Sequence, residues 1–376
     1  MIRFLDTFSG IGGFRVAATQ AATLVKTPHS FVASVEINAK ARAIYQKNFG
    51  DTPLHDITKI DPATLPDFDI ILGGFPCPVF SRNGKYFNKG KVAPQNDDRT
   101  DLFKNLVDIL RVKKPAGFVF ENVKEISTIL HYSGKIMKDH VQDSIQELGY
   151  SVVCQTYDSK DFGLAQQRKR VYFYGFKDGT YPFEFVNNPD DKAYVMDVMD
   201  EDADPKLLLT NAWAKRKGGS PLALAEKIEK SLGQYALPKL VKAFKSAGDR
   251  VVSRLELLSL ASKSGQWPEP MQTASVVWPL AVLYGMTPSA GPRQQDKVYS
   301  RKGISPTLAT FSTPAFDHPK GWRILSPREC ARLQGFPDSF ILPSSKADAY
   351  RMIGNAVSVG VAKHVIAFML RSILDC

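Results

Sequence analysis

The apolar positions of the chain fall into short runs separated by amphipathic stretches. Residues 2–8 form an apolar run that ends in a glycine cluster, Ser9-Gly10-Ile11-Gly12-Gly13, and an Ala-rich helix is predicted over 15–24. The same rhythm predicts strands over 31–37, 69–72, 117–120, 151–157 and 170–176. Helices are predicted over 39–48, 101–112 and 135–148. Strands alternating with helices on this scale imply a doubly wound α/β sheet with ligands at the C-terminal ends of its strands. The rhythm breaks near Asp178, and Asn187-Asn188-Pro189-Asp190-Asp191 reads as a turn-rich boundary. Beyond it, 222–232 and 237–247 have amphipathic helix spacing, whereas the remainder to about 340 has no regular pattern. A turn at Gly354-Asn355 and a helix within 350–370 close the chain. The expected organisation is one α/β domain, 1–188 completed by 346–376, and a smaller irregular domain over 189–345.

Charge adds a partner to this picture. The 376 residues carry a formal net charge of +11, which suits an anionic partner such as a nucleic acid but does not bear on fold. The excess is local: residues 206–302 hold 16 Lys/Arg against 6 Asp/Glu. A solvated surface would explain that equally well until chemistry is found near it. The four cysteines, Cys77, Cys154, Cys330 and Cys376, form no C-x-x-C pair, so zinc is not expected. Few cysteines in a long chain imply a reducing, cytoplasmic setting. The N-terminus lacks the pattern of a signal peptide, and no run of about 20 apolar residues suggests a membrane span.

Two clusters of residues carry candidate chemistry. In the first, Asp6 to Gly13 lies between strand and helix, where glycines let the backbone approach a ligand. It is not G-x-G-x-x-G, so a pyrophosphate cradle fits poorly. Glu36 ends the next strand, where a carboxylate can bind both ribose hydroxyls, and Asp56 and Ile57 could flank an adenine. A nucleoside ligand fits this set, as does an ordinary strand–turn–helix with surface acids. The second cluster centres on Gly73-Gly74-Phe75-Pro76-Cys77-Pro78. A lone cysteine is usually a small core residue. This one follows a strand and sits between two prolines that fix the backbone. A polar loop over 82–99 follows, with Arg82, Lys85, Lys89 and Lys91. Glu121-Asn122-Val123 ends a further strand, and Gln166, Arg168 and Arg170 alternate onto one side of a later one.

In this order the motifs resemble those of the DNA (cytosine-5) methyltransferases almost end to end. The remaining matches are Arg99-x-x-Leu102-Phe103, Pro306-Thr307-Leu308, Ser326-Pro327-Arg328-Glu329 with Arg332 to Pro337, and Gly354-Asn355-Ala356-Val357. The resemblance implies a Rossmann-like methyltransferase sheet with a smaller target-recognition domain. It makes Cys77 the nucleophile that attacks cytosine C6, and Glu121 the group that contacts N3 and the exocyclic amine. Arg168 steadies the base and the carboxylate, Asn122 orders the proline loop and Arg170 helps position the substrate. It implies S-adenosyl-L-methionine as cofactor, with Phe8, Gly10 and Gly12 near its methionine part and Glu36 on the ribose. Ile37, Asp56 and Ile57 frame the adenine, and Leu102 and Asn355 complete the pocket. Pro76, Ser81, Arg99 and Gln166 belong to the substrate loops. The implied partner is double-stranded DNA with the target base flipped out, bound by a monomer of microbial or phage type alongside a restriction endonuclease. The basic segment would read the target site.

Three positions depart from the family pattern: Pro78 where Gln is usual, Thr100 where Gly is frequent, and Ser358 where Pro often ends the last motif. Pro78 bears on loop closure, while Thr100 and Ser358 are expected to lie away from the reacting atoms. The same chemistry on transfer RNA is the nearest alternative, and the long basic segment favours duplex DNA. An inactive DNA-binding module would not need Cys77, Glu121 and Arg168 together. A nicotinamide dehydrogenase would not explain the Pro76-Cys77 loop.

Overall fold

The computed structural model describes residues 1–76, 102–131, 133–177, 193–202, 278–279, 297–299, 301–310, 313–316, 318 and 323–374. The chain divides into two compact units. One comprises Met1–Leu164, Arg168–Lys192 and Gln334–Cys376, and the other Ala165–Gln167 and Ala193–Leu333. The helices expected over 222–232 and 237–247, the 187–191 boundary and the 82–99 loop lie outside the described residues.

In the first unit, β1 (Ile2–Thr7), α1 (Gly13–Leu24), β2 (His29–Val35), α2 (Ala39–Phe49) and β3 (Ile70–Gly73) are followed by α3 (Leu102–Lys113), β4 (Gly117–Val123), α4 (Met137–Gln146) and β5 (Val153–Asp158). The two-residue β6 (Gln166–Gln167) belongs to the second unit, and β7 (Lys169–Phe176) returns to the first. The large sheet has the order β2-β1-β3-β4-β7-β5. Its first four strands are parallel, and β7 is antiparallel to both β4 and β5. The alternation of strands and helices did not anticipate that reversal. No crossover helix separates β5 from β7, only a 3-10 turn at Ser159–Phe162 and the two-residue β6, so β7 runs back along the sheet.

The central strands read as unbroken apolar runs because helices cover both faces. Leu5, Ile71, Phe118, Phe120, Val171 and Phe173 share a core with Leu106 and Leu110 of α3 and Val141 and Ile145 of α4. The helix α3 buries Phe103, Leu106, Val107 and Leu110, an apolar stripe at helical spacing.

The second unit contains α5 (Val195–Val198), β8 (Trp278–Pro279), β9 (Lys297–Tyr299), β10 (Ser305–Pro306), β11 (Ala315–Phe316), β12 (Arg323–Ile324) and α6 (Pro327–Leu333). Strands β12-β11-β9-β8 form one small sheet, and β10 pairs with β6. Among the described residues of this unit the strands are two or three residues long. Its core holds a fully buried ion pair: Arg323 Nη1 and Nη2 donate to Glu329 Oε2 and Oε1 at 2.7 and 2.6 Å.

The chain re-enters the first unit at Gln334, twelve residues before the expected 346. The buried Gln334 amide donates to Ile353 O at 2.9 Å, and Ile341 N donates to Asn48 Oδ1 at 2.7 Å. Two helices follow, α7 (Lys346–Asn355) and α8 (Val359–Leu374), rather than a turn and one helix. α8 lies against α1 and β4. Among the described residues, Lys346–Leu374 alone is apolar and long enough to pass for a membrane span. The break between α7 and α8 interrupts it, and Val365, Ile366, Met369 and Leu370 are buried in the core.

Candidate active site

The C-terminal ends of β1 and β2 build the first cluster. After Thr7 the chain turns sharply, and Phe8 and Gly10 adopt left-handed φ angles of 50° and 55°. A left-handed phenylalanine stores backbone strain, as turns at functional sites often do. Ser9 N donates to Val35 O at 2.9 Å, tying the turn to β2. Gly12 caps α1 at φ 97°, and a Cβ there would lie 2.3 Å from the Phe49 ring, so only glycine fits. Just past β2, Glu36 accepts from Gly10 N at 2.8 Å and from Asn38 N at 2.7 Å. Ile37 beside it is 62 % exposed, an apolar surface next to a carboxylate. Asp56 accepts from the Thr58 hydroxyl and N–H at 2.8 and 3.0 Å, and these bonds hold its carboxyl below the usual range. Ile57 is buried in the core, Leu102 packs against that core at the start of α3, and Asn355 is exposed at the end of α7.

Two features of this cluster fit a bound ligand. The Ser9 hydroxyl is buried without a hydrogen-bond partner, and the space over Gly10 is open. Beneath the turn lies Asp6, whose Oδ2 accepts from Tyr45 OH at 3.2 Å while its Oδ1 has no partner. Burial pushes the Asp6 carboxyl up to about 7, against the pull of the Tyr45 hydrogen bond.

The second cluster gathers where β4 ends and β7 begins. Glu121 stands opposite Tyr172, and Val123 opposite Arg170. Arg170 Nε lies 3.1 Å from Glu121 Oε1, a charge contact in which the N–H is not aimed at the oxygen. Burial raises the Glu121 carboxyl above its usual range, while Arg170 and then Arg168 pull it down. Arg168 is 2 % exposed. Its Nη2 donates to Gly354 O and Ala356 O at 3.1 and 3.0 Å, and its backbone N–H to Asp158 Oδ1 at 2.9 Å. Burial and the Arg170 charge work against the Arg168 charge, and Glu121 supports it. Asn122 donates to Phe75 O at 3.2 Å, joining β4 to the residue before Pro76, and Pro76 itself is exposed. The segment that begins with Cys77 and includes Ser81 and Arg99 lies outside the described residues. Gln166 belongs to the second unit, where its amide donates to Leu333 O at 3.2 Å and accepts from Leu308 N at 2.9 Å.

A buried carboxyl group whose proton affinity is raised, beside the Arg170 guanidinium, can exchange a proton with a ring nitrogen and accept from an amine. The profile of the C-5 cytosine-specific DNA methylases matches residues 2–371. The chain belongs to that family. It is 29% identical over 382 residues to the type II methyltransferase M.HhaI of Haemophilus parahaemolyticus, covering 100% of this chain and 95% of the relative. It is 32% identical over 363 residues to M.NgoBI of Neisseria gonorrhoeae, covering 96% of this chain and 90% of the relative. Two solved structures share the fold. They are S. pombe Dnmt2 (TM-score 0.60, 16% identity, 99% of each chain) and the Entamoeba histolytica methyltransferase EhMeth (TM-score 0.64, 15% identity, 99% of each chain).

Sequence reasoning named no role in this methylase for Tyr172, Asp158 or Ser159. Tyr172 is fully buried with its hydroxyl unpartnered, facing the register position of Glu121. Extending the alternation of Arg168 and Arg170 by one step would have found it. Asp158 accepts the Arg168 N–H through its carboxylate and Ser159 N donates to Arg168 O, so both hold the Arg168 backbone, whose position is not written in residue type.

Proposed function

We propose that this methylase transfers a methyl group from S-adenosyl-L-methionine to C5 of a flipped-out cytosine in double-stranded DNA, through a covalent bond between Cys77 and C6. The observation that carries this reading is Glu121, a buried carboxyl flanked by Arg170 and Arg168 on the strand whose next residue, Asn122, bonds to Phe75 O. Asn122 thereby supports the backbone that leads through Pro76 to Cys77.

In this reading the Cys77 thiolate forms the Sγ–C6 bond, and the electrons of the C5=C6 bond are pushed into the ring. Glu121 delivers its proton toward N3 and accepts from the exocyclic amine, which its raised affinity for a proton favours. Arg168 and Arg170 hold that carboxyl and the base in register. The bound cofactor supplies an electrophilic methyl group. Loss of the C5 proton to a base, rupture of the Sγ–C6 bond and return of the N3 proton to the Glu121 carboxylate then release 5-methylcytosine and free Cys77. On the cofactor side, Glu36 would bind the ribose hydroxyls and Ile37 would cover the adenine. The turn from Phe8 to Gly12 would meet the methionine part, where the unpartnered Ser9 hydroxyl is already buried. The second unit, with its surplus of Lys and Arg over 206–302, would read the target site. The reading extends to a cytoplasmic monomer acting beside a restriction endonuclease, the last in keeping with relatives named as type II methyltransferases.

Duplex DNA containing 5-fluorocytosine at the target tests the chemistry, because fluorine at C5 cannot leave as a proton and the adduct persists. The target is first located by bisulfite sequencing of DNA from cells expressing the protein. With cofactor present, the protein should form a denaturation-stable adduct that Cys77→Ser abolishes. Methylation of transfer RNA with no activity on unmodified duplex DNA would refute the substrate assignment.

A further inference from the structure

Ser358 stands where the family often has proline, and the sequence reading placed it away from the reacting atoms. Ser358 is 1 % exposed, and its hydroxyl lies 2.7 Å from the Ser159 hydroxyl and 3.3 Å from Gln334 Oε1. A proline could make neither contact.

These contacts continue in both directions. On one side, Ser159 N donates to Arg168 O at 3.1 Å, and the Ser159 hydroxyl lies 3.2 Å from the same oxygen. On the other, Gln334 Nε2 donates to Ile353 O at 2.9 Å and to Ala356 O at 3.2 Å. Ala356 O is also an acceptor for Arg168 Nη2, at 3.0 Å, as is Gly354 O at 3.1 Å. The circuit therefore closes on Arg168, at its backbone and at its guanidinium, and the two carbonyls it holds flank Asn355. Each hydroxyl has one proton to give. If Ser159 donates to Ser358 and Ser358 to Gln334, every acceptor is met, because Arg168 O already receives the Ser159 N–H. All members are buried, where a lost partner leaves a polar atom unsatisfied and the network reorganises as a unit.

We propose that Ser358 and Ser159 form a two-hydroxyl latch that positions Arg168 and the Asn355 turn together, so that the target-base site and the cofactor site of this chain are set by one circuit. The inference rests on the proposed roles of Arg168 at the base and Asn355 at the cofactor. Ser358 and Ser159 are positioning residues, since neither needs to touch substrate. Without the Ser358 hydroxyl, Gln334 Oε1 loses the bond from Ser358 and the amide is held less firmly. Ala356 O then loses one of its two donors, and the carbonyl pair that orients Arg168 loosens.

The test uses the full chain, its Ser358→Ala and Ser159→Ala variants and the double variant. Calorimetry gives the Kd for S-adenosylhomocysteine, which binds without reacting, and trapping with 5-fluorocytosine duplex gives the adduct rate. Each single variant should weaken S-adenosylhomocysteine about fivefold, the scale of one hydrogen bond, and slow adduct formation as well. The double variant should be no worse than the weaker single, because two links of one circuit do not add. Unchanged Kd values in both single variants, even with a lowered Tm, would overturn the latch, as would full additivity in the double. Should the parent chain bind S-adenosylhomocysteine but form no adduct, the catalytic reading fails while the Kd cycle still decides the latch.

Discussion

Replacing Glu121 by Gln separates the chemistry of the carboxyl from its place in the fold. Gln keeps the shape and removes both the charge and the transferable proton. The side chain is 13% exposed, with Arg170 Nε at 3.1 Å, so bulk water is a poor substitute donor. Positioned proton transfer contributes about 10²–10⁴ in rate, or roughly 3–5 kcal/mol of barrier. Single-turnover transfer of a labelled methyl group to cognate duplex should fall by about that factor, with S-adenosylhomocysteine binding unchanged. The stability arm has the opposite sign. Burial raises the Glu121 carboxyl above its unfolded value, so its contribution to stability is fully present below about pH 4 and is lost as pH rises through the folded value. Glu121→Gln removes that loss. At pH 7 the variant should therefore have a urea midpoint equal to or above that of the parent, and the two should converge near pH 4. A variant that loses activity together with several kcal/mol of stability at pH 7 would refute the reasoning, since Glu121 would then be a structural ion-pair partner. Retention of activity within about tenfold would refute the proton-transfer role.

The other expectations concern stability and pH. Arg323→Met strands the buried Glu329 carboxylate and should cost about 3–5 kcal/mol in urea unfolding, whereas Arg323→Met with Glu329→Leu should recover most of it. Burial opposes the Glu329 charge, but the bonds from Arg323 and from the Ser326 and Asp200 N–H groups outweigh it and lower its proton affinity. The stability this pair contributes is therefore present above about pH 4.5 and lost on further acidification, as an acid titration of the urea midpoint would register. Gly12→Ala forces an L side chain to φ 97° and into the Phe49 ring, and should cost at least about 1–2 kcal/mol by thermal unfolding. Asp6, pushed up to about 7 by burial, favours the folded state only while protonated. The advantage of Asp6→Asn over the parent should therefore grow from about pH 4 to pH 7 and then level off.

Short-range features of this protein were readable in its sequence. The strands of the large sheet appear as apolar runs because both faces are covered, and α3 shows its stripe because only one side is buried. The Phe8–Gly12 turn was visible in its glycines and Glu36 in its position at a strand end. The contacts that shape the site were harder to read. Arg168 is held by carbonyls at Gly354 and Ala356, nearly two hundred positions away, and a backbone carbonyl has no residue-type signature. The return to the first unit at Gln334 was missed for a related reason: one buried amide bonded to Ile353 O and Ala356 O anchors it, with no composition change to mark it. The contacts of Ser358 with Ser159 and Gln334 were not legible either, since they join residues 199 and 24 positions apart.

The reversal of β7 explains why the acid and the two arginines occur in the order they do. In the parallel part of the sheet, residues at the ligand edge must come from strand ends, as Thr7, Gly73 and Glu121 do. A further parallel strand would also bring its C-terminal residues to that edge, and its side chains would lean away from the acid that ends β4. An antiparallel strand instead brings its first residues there. Arg170 then falls opposite Val123, one step beyond the Glu121–Tyr172 pair, and reaches back along the same face to the carboxyl. Arg168, which precedes β7, is free of the ladder and can turn its guanidinium toward Gly354 O and Ala356 O. The spacing Arg168-x-Arg170-x-Tyr172 thus encodes strand direction as well as chemistry. Moving the arginines to the end of β7 would place them at the opposite edge of the sheet. A substitution that shifts the β4–β7 register by one residue should separate Glu121 from both arginines even with all three side chains retained.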